Sequence, residues 1–388
     1  MERVVYASAS PLRHLLTMNM KPNERLVSLD ALRGFDMLFI MGFSGLVAAI
    51  CALWPSAFTD GLAAQMKHVA WNGLSHHDTI FPLFLFIAGV SFPFSLAKQQ
   101  AAGVSRKAIV MKILRRGITL VVLGMIYNGL FNLNFETLRV ASVLGRIGIA
   151  WAVAALLCLF FGVRTRIAIA AAILIGYSLL LCLTVAPDAP AGADPLSVEG
   201  NIAGWFDRQW LPGRVLYKTY DPEGLLTTVP AVVSAMLGIF TGEFLREKRW
   251  SLSGDRKALY MFLAALALTA VGLLWSTVMP LNKKLWSSSF VCVVAGYSLA
   301  MLALFYYVAD VRGHKRWTLF FRVIGLNSIT IYLAQRIIDF GHISDFFLRG
   351  VQSLCSEQWA AVVSNAGYVA VCWIFLWILY KKDIFLKL

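Results

Sequence analysis

One short polar segment, residues 66–78, contains the side chains of this chain that are best suited to proton transfer. It carries His68, Trp71, Asn72 and Asp78 and runs directly into a long apolar stretch. An imidazole can accept and return a proton near neutral pH because its ordinary pKa lies close to that pH. We therefore predict an active site in this segment. A solvated connection between two helices is the alternative, since polar side chains are typical of both.

Further polar side chains lie inside or beside apolar stretches, where they are costly in a bilayer. Arg146 stands near the start of one stretch, and the connection 280–290 places an amide, an ammonium and an indole beside another. We predict that these groups and the histidine segment line a polar cavity opening outward. Contacts between helices are the alternative for the groups inside the stretches. The predicted substrate-binding residues are Trp71, Asn72, Arg146, Asn282, Lys283, Trp286, Asn327 and Arg336.

The connection 98–116 is rich in lysine and arginine, and it ends in Arg115 and Arg116. Such residues bind the phosphates of a nucleotide-containing donor, because guanidinium groups match phosphate oxygens in geometry and charge. Contact with anionic lipid headgroups is the simpler interpretation of the same composition.

The elements that must position these residues are membrane-spanning helices. With 59% apolar and 14% charged residues among 388, the chain is predicted to be an all-α, polytopic membrane protein. A helix needs about 20 apolar residues to cross a bilayer. About ten such runs are present, near residues 35–54, 79–97, 113–131, 142–162, 167–186, 226–245, 258–279, 287–309, 318–338 and 359–380.

The net charge of +14 is explained by the placement of the basic residues. Most of the 35 lysines and arginines fall in one set of alternate connections, and this bias predicts that both termini are cytoplasmic. We therefore predict no nucleic-acid partner. The cysteines and histidines lack metal-ligand spacing, so no metal site is expected. Residues 1–24 are predicted to be a poorly ordered extension, and residues 25–388 a single transmembrane domain.

Several motifs taken together resemble the heparan-alpha-glucosaminide N-acetyltransferase family of membrane acetyltransferases, particularly its bacterial members. The spacing of His68 and Trp71 before Asp78, combined with Lys283 and Trp286, is the most specific part. The matching stretches are RLVSLDALRGFDM (25–37), KHVAWNGLSHHDTIFPLFLFIAGVS (67–91), VLGRIGIAWAV (143–153), GLLTTVPAVVSAMLGIFTG (224–242), PLNKKLWSSSFV (280–291) and GLNSITIYL (325–333).

The resemblance implies transfer of an acetyl group from cytosolic acetyl-coenzyme A, the co-substrate, across the bilayer to a glucosamine-type amine. It implies that His68 acts as general base or as transient acetyl acceptor, and that Asp78 orients an imidazole. His76 and His77 are not part of the family pattern. Ser44 stands where the lysosomal enzyme has an active-site asparagine.

The donor's phosphates are too strongly hydrated to enter lipid, so Arg33, Arg115 and Arg116 are predicted to bind them at the cytoplasmic side. Lys283 or Asn282 is predicted to stabilise the developing oxyanion.

The resemblance further implies a multi-pass protein of the bacterial inner membrane that acts on a small amino sugar. A homodimer is possible, because small residues line helix faces. A transporter of an amino sugar or another small solute is the alternative function, since intramembrane charges and an outward cavity also suit transport.

Overall fold

The computed structural model describes residues 26–247 and 251–386, and the predicted extension 1–24 lies outside them. The described part is helical throughout, apart from two isolated bridges. The α-helices are α1 (Val27–Leu38), α2 (Ser44–Cys51), α3 (Ala57–Gln65), α4 (His76–Ala101), α5 (Arg106–Tyr127), α6 (Val143–Phe160), α7 (Val163–Leu183), α8 (Ile202–Trp210), α9 (Thr228–Arg246), α10 (Gly254–Trp275), α11 (Ser288–Phe305), α12 (Thr318–Leu326), α13 (Ser328–Ile337), α14 (Phe340–Ser353) and α15 (Glu357–Lys381).

Within this described part, eight helical stretches are long and apolar enough to cross a membrane. Two of them include π-helical turns, Phe39–Phe43 between α1 and α2 and Tyr306–Val311 after α11. The eight stretches are Val27–Cys51, His76–Ala101, Val143–Phe160, Val163–Leu183, Thr228–Arg246, Gly254–Trp275, Ser288–Val311 and Glu357–Lys381. The sequence-based prediction of a polytopic helical protein is confirmed to this extent.

The two remaining predicted spans, 113–131 and 318–338, differ from the eight for physical reasons. The first corresponds to α5, whose initial turns carry the basic residues of the connection 98–116. The second is interrupted at Asn327, which has a non-helical backbone (φ −123°, ψ 27°) and separates α12 from α13. Because α12 has only 9 residues and α13 only 10, neither is long enough to cross alone. The count of ten spans, like the orientation of the termini, stays a prediction.

Glycines bring two helix pairs close together around the candidate site. A Cβ atom at Gly34 of α1 would collide with the carbonyl oxygen of Phe321, and one at Gly325 of α12 with that of Asp30. A Cβ atom at Gly89 of α4 would meet the backbone of α9 in the same way. Such contacts let helix backbones approach closely in a membrane. They hold α1 against α12 and α4 against α9.

The start of α1 is held by a side chain from a distant part of the chain. Both carboxylate oxygens of Asp310 accept hydrogen bonds from the first backbone N–H groups of α1, at Val27 and Ser28, each over 3.1 Å. These N–H groups have no partner within the helix, and the positive end of the helix dipole favours an anion there. The contact joins α1 to the π-helical turn after α11.

Candidate active site

The first turn of α4 forms a capping box that fixes the position of Asp78. Ser75 precedes the helix, and the Oδ2 atom of Asp78 accepts hydrogen bonds from the Ser75 backbone N–H (3.3 Å) and hydroxyl (2.9 Å). The backbone N–H of Val69 donates to the same oxygen over 3.2 Å. A carboxylate is well placed here because it satisfies unpaired N–H groups at a helix start. Asp78 is buried, and its other oxygen, Oδ1, is left for a second partner.

That second partner is His68. Its Nδ1 atom lies 2.7 Å from Asp78 Oδ1, and the ammonium of Lys283 lies 3.4 Å from the same oxygen. Lys283 Nζ is also 3.1 Å from His68 Nδ1. Nδ1 can either donate a proton to Asp78 or accept one from the Lys283 ammonium, but it cannot do both. The contact with Asp78 is the shorter, so it favours a proton on Nδ1 that is donated to Asp78. We call His68, Asp78 and Lys283 the His68 cluster.

In this tautomer the Nε2 atom of His68 carries a free lone pair. Within residues 26–247 and 251–386, no hydrogen bond reaches Nε2, and the side chain is about half exposed (51%). Asp78 holds the ring orientation and would stabilise the imidazolium that forms when Nε2 takes a proton. The cluster therefore has the geometry of a base or nucleophile supported by a carboxylate.

The ammonium of Lys283 is mostly buried, with a side-chain exposure of 15%. Burial lowers the pKa of Lys283, and the neighbouring Asp78 carboxylate opposes that effect. Lys283 therefore releases its proton more readily than an exposed lysine.

Hydrogen bonds tie the turn that carries Lys283 to the His68 segment. The Gly73 N–H donates to the Leu281 carbonyl (2.7 Å), and the Asn282 amide donates to Asn72 Oδ1 (3.1 Å). Trp286, three residues after Lys283, is fully buried and donates its indole N–H to the Ser234 hydroxyl of α9 over 3.2 Å. Asn72, Asn282 and Trp286 therefore shape the site, with Trp286 acting from beneath it.

Two other predicted substrate-binding residues lie apart from the His68 cluster. Trp71 donates its indole N–H to the Leu196 carbonyl (2.8 Å) and packs on Tyr220, so it joins the His68 segment to the long connection after α7. Arg146 is buried against the ring of Trp286, 4.9 Å from its centroid, and donates to the Thr227 hydroxyl. Arg146 supports Trp286 from behind and is not exposed to a cavity shared with His68.

Arg336 and Asn327 also have other partners. The guanidinium of Arg336 lies 5.9 Å from the ring centroid of Tyr127. Asn327 is buried and donates its amide to the backbone carbonyl of Ile384 over 3.1 Å, near the end of the chain. The structure does not bring these arginines together with His68: Arg146 lies behind Trp286, with its Nε and Nη1 atoms buried and without a hydrogen-bond partner among the described residues, and Arg336 lies by Tyr127.

A cavity of about 440 Å³ lies between α1 and α4 and is mostly apolar. We call it the α1/α4 cavity. Its wall on α4 is made by residues spaced three or four apart, which share one helix face. Residues with the same spacing on α1 form the facing wall, and α5, α6, α12, α13 and the chain after α15 contribute the rest. The two walls comprise Phe81, Phe84, Ala88 and Ser91 of α4, and Arg33 and Met37 of α1 with Ile40 of the π-helical turn that follows.

The helix faces that line the α1/α4 cavity continue to the His68 cluster at one end. One turn before Phe81 on the same face is His77, whose ring centroid lies 4.5 Å from that of His68. The hydroxyl of Ser44, the first residue of α2, lies 3.1 Å from His77 Nδ1. Ser44 and His77 thus stand between the cavity and His68.

Two guanidinium groups mark the opposite end of the cavity. Arg33 donates to the Ser91 hydroxyl over 3.5 Å and pairs with Asp30 at 3.6 Å. Arg116 lies over the ring of Trp151, and its buried Nε atom has no hydrogen-bond partner among the described residues. A buried donor without a partner is costly, so it is suited to an anionic ligand that supplies one.

Arg115 faces a different cavity. It lines a second space of about 520 Å³ together with Lys112, Gln99 and Arg116, which borders both cavities. Of the three arginines predicted to bind a donor, the structure therefore brings Arg33 and Arg116 to the α1/α4 cavity and leaves Arg115 outside it.

Two curated relatives, each named heparan-alpha-glucosaminide N-acetyltransferase, are similar to this chain over nearly its whole length. The human (Homo sapiens) protein is 27% identical in an alignment 416 positions long, gaps included, which covers 94% of this chain and 60% of the relative. The mouse (Mus musculus) protein is 27% identical in an alignment 424 positions long, gaps included, which covers 96% of this chain and 63% of the relative. This chain is related to the heparan-alpha-glucosaminide N-acetyltransferases. The family resemblance inferred from the motifs is confirmed.

The match covers only part of each relative. The chain spans less than two thirds of the length of these relatives. No protein-family model matches the chain. The activity of the relatives is therefore considered below as a proposal for this chain.

Sequence reasoning missed three participants in the site: Ser75, His77 and the chain after α15. Ser75 stands three residues before Asp78 and just ahead of an apolar run, which is the pattern of a capping box, so it was detectable. His77 carried no signal beyond its type, because its contact with Ser44 joins two helices that are distant in sequence.

Proposed function

We propose that this chain is a membrane N-acetyltransferase that transfers an acetyl group from acetyl-coenzyme A to the amine of a glucosamine-type sugar. The observation that carries the proposal is the placement of His68. His68, a base with a free Nε2 atom, lies next to His77, one turn before the cavity-lining residue Phe81, and two guanidinium groups line the cavity farther along. The relationship to named N-acetyltransferases supports the same reaction class.

The reaction needs an unprotonated amine next to the thioester. Nitrogen attacks the acetyl carbonyl carbon, the carbon–sulfur bond breaks, and the amine loses one proton. His68 Nε2 accepts that proton directly, or it first receives the acetyl group and passes it on. The proton then returns to the departing thiolate, so the products are the amide and coenzyme A with a free thiol. Asp78 balances the positive charge on the imidazole while it lasts.

Lys283 is proposed to stabilise the negative charge on the acetyl oxygen during the attack. Its ammonium is 3.1 Å from His68 Nδ1 and is fixed by Asp78, so it requires little reorganisation.

The α1/α4 cavity is proposed to hold the donor. Its apolar walls suit the pantetheine arm, while Arg33 and the unpartnered Nε of Arg116 suit phosphate oxygens. The residues of α4 that line the cavity run from Ser91 to Phe81, and the same helix face continues to His77, 14 residues from Ser91, or about 21 Å of helix. An extended donor bound along this face would have its phosphates near Arg116 and its thioester near His68. With the termini cytoplasmic, the acceptor would bind on the outer side of a bacterial inner membrane.

The deciding experiment uses purified protein in proteoliposomes with acetyl-coenzyme A carrying a ¹³C-labelled acetyl group, and with glucosamine. We expect N-acetylglucosamine carrying the label, detected by mass spectrometry, from the wild type with donor and not from His68→Ala. Absence of labelled product from the wild type with glucosamine and with glucosaminides would contradict the proposal.

The same vesicles test the transporter alternative. Accumulation of unmodified sugar without donor would identify a transporter. An enzyme without transport activity leaves the free sugar on the side where it was added, because a polar sugar crosses a bilayer very slowly, and it changes only the acetylated fraction.

A further inference from the structure

The end of the described chain folds back onto the bundle after α15. Asp383 has a left-handed backbone (φ 53°), a conformation that aspartate tolerates better than most residues. The Asp383 N–H donates to the Tyr380 carbonyl (3.3 Å), and the Ile384 N–H donates to the Leu379 carbonyl (2.9 Å). This pair of bonds is the Schellman motif, which ends a helix and reverses the direction of the chain.

A side chain from the break between α12 and α13 holds the reversed segment. The amide of Asn327 donates to the Ile384 carbonyl over 3.1 Å, and its oxygen accepts from the Thr330 hydroxyl over 3.2 Å. Asn327 is buried (2% exposed), so these bonds replace water at a place where an unsatisfied amide would be costly. The anchor therefore fixes where the next two residues go.

Those next two residues, Phe385 and Leu386, line the α1/α4 cavity. Phe385 is partly buried and lies 6.3 Å from the ring of Tyr380, while Leu386 remains 45% exposed. Residues that line a cavity and also face solvent stand at its mouth. Gly325, Leu326 and Ser328, which flank the anchor Asn327, line the cavity beside them.

We infer that Phe385 and Leu386 form the rim of the donor site and contact bound coenzyme A at the entrance to the α1/α4 cavity. The inference rests on the proposed donor and extends it to the segment after α15 and to Asn327, which the sequence analysis predicted to bind substrate and which here anchors that segment. Apolar side chains at the mouth exclude water from the apolar walls behind them when the donor is bound. Asn327 is then a positioning residue that acts through the backbone of Ile384.

The first experiment measures the dissociation constant of coenzyme A for the full chain in nanodiscs by calorimetry. We expect Phe385→Ala and Asn327→Ala each to raise it about fivefold, because an apolar contact with the ligand is lost or misplaced. Ile384→Ala is the matched control, because the Ile384 side chain is exposed and both hydrogen bonds of this residue use backbone groups, which the substitution keeps. It should leave the constant unchanged. Equal affinity in the wild type, Phe385→Ala and Asn327→Ala would overturn the inference and leave the proposed function intact.

Tighter binding by the variants would overturn it as well, since the segment would then obstruct the cavity. If the wild type itself does not bind coenzyme A, the proposed donor fails together with the inference. Thermal unfolding without ligand checks each variant for folding, and Phe385→Ala keeps the test valid should Asn327→Ala unfold.

A second measurement is independent of affinity changes. Cysteine is introduced by Leu386→Cys and, as control, by Ile384→Cys, and maleimide labelling of each peptide is followed by mass spectrometry. We expect saturating coenzyme A to slow labelling of Leu386→Cys at least threefold, because residue 386 lines the cavity. Labelling of Ile384→Cys should be unaffected, because residue 384 faces solvent. Equal protection of both, or of neither, would contradict a rim made by these residues.

Discussion

The His68 cluster and the Arg33 end of the α1/α4 cavity, where Arg33 and Arg116 lie, differ in how their charged groups are satisfied. In the His68 cluster, Asp78 accepts five hydrogen bonds or ion-pair contacts within 3.4 Å, and its carboxylate is buried. At the Arg33 end, the Nε atom of Arg116 is buried without a partner among the described residues. The first end is organised before any ligand arrives. The second has a donor group that only a ligand or water would satisfy.

The difference indicates separate roles. Groups that stabilise charge in a transition state work best when they are fixed in advance, because no reorganisation is then needed during the reaction. Groups that bind a charged ligand gain from an unsatisfied hydrogen-bonding capacity, because each new bond is a net gain. We therefore expect changes at the His68 end to reduce kcat and changes at the Arg33 end to raise the KM for the donor.

The largest effect is expected for His68→Ala. Loss of the base should lower kcat by about 10³-fold, within the usual range for proton transfer by a side chain. The affinity for coenzyme A should be retained, since His68 lies beyond the cavity. The measurement is initial acetylation rate together with calorimetric binding. A loss of coenzyme A binding equal to the loss of rate would remove the distinction between the two ends.

A smaller loss, on the order of 10²-fold in kcat, is expected for Asp78→Asn. The amide keeps the size of the side chain but no longer balances an imidazolium and cannot accept at every position that the carboxylate uses. Because Asp78 also caps α4, the unfolding temperature should fall by a few degrees, and Ser75→Ala serves as the control for that contribution. If Ser75→Ala reduced kcat as strongly, Asp78 would be acting only as a cap.

Lys283 gives a prediction about pH. Burial lowers the pKa of Lys283, so its ammonium is lost at a lower pH than the ordinary value of about 10.4. If the ammonium stabilises the oxyanion, kcat should decline on the alkaline side below that pH. Lys283→Met should reduce kcat roughly 10- to 100-fold at neutral pH, a factor that corresponds to the loss of one hydrogen bond to a charged group. It should also abolish the alkaline decline.

The control for Lys283 is Lys283→Arg, which keeps its charge at every accessible pH. In this variant the alkaline decline should move to higher pH. An alkaline limb at the same pH in the wild type, Lys283→Met and Lys283→Arg would assign that limb to another group.

The smallest expected effect is at Arg116. Arg116→Ala should raise the KM for acetyl-coenzyme A about tenfold and leave kcat nearly unchanged, since a single bond to phosphate is lost. Arg115→Ala is the matched control, because Arg115 is adjacent in sequence and lines only the second cavity. A larger effect of Arg115→Ala on the KM would move the donor's phosphates to that second cavity.

Much of the fold was predictable because bilayers impose a strong pattern on sequence. Apolar runs of about 20 residues identified the membrane-spanning helices, since every backbone polar group must be satisfied within a span. The exceptions are informative. The run 318–338 is apolar enough on average, yet the helix is interrupted at Asn327, whose backbone is non-helical and whose side-chain amide donates to the distant Ile384 carbonyl. Helix α14 was not expected, because its apolar residues are too few for a span.

The candidate site was predictable in part. His68 and Asp78 are ten residues apart, and Lys283 was named with them from the motifs that carry the family resemblance. Arg146 and Arg336 were grouped with them because charged residues inside a span suggest function. In the structure the ring of Trp286 and the ring of Tyr127 provide the environment of these arginines. Aromatic faces attract guanidinium groups without leaving any motif in the sequence.

The sequence by itself determined the helical membrane class, the family relationship and the types of residue available for chemistry, because these depend on composition and local spacing. Only the tertiary structure decided which groups meet. The contacts of Lys283 with His68, of Ser44 with His77, and of Phe385 and Leu386 with the α1/α4 cavity join segments tens to hundreds of residues apart. Such contacts follow from the close approach of α1 to α12 and of α4 to α9 at glycines, a property of packed surfaces that periodicity along one chain does not encode.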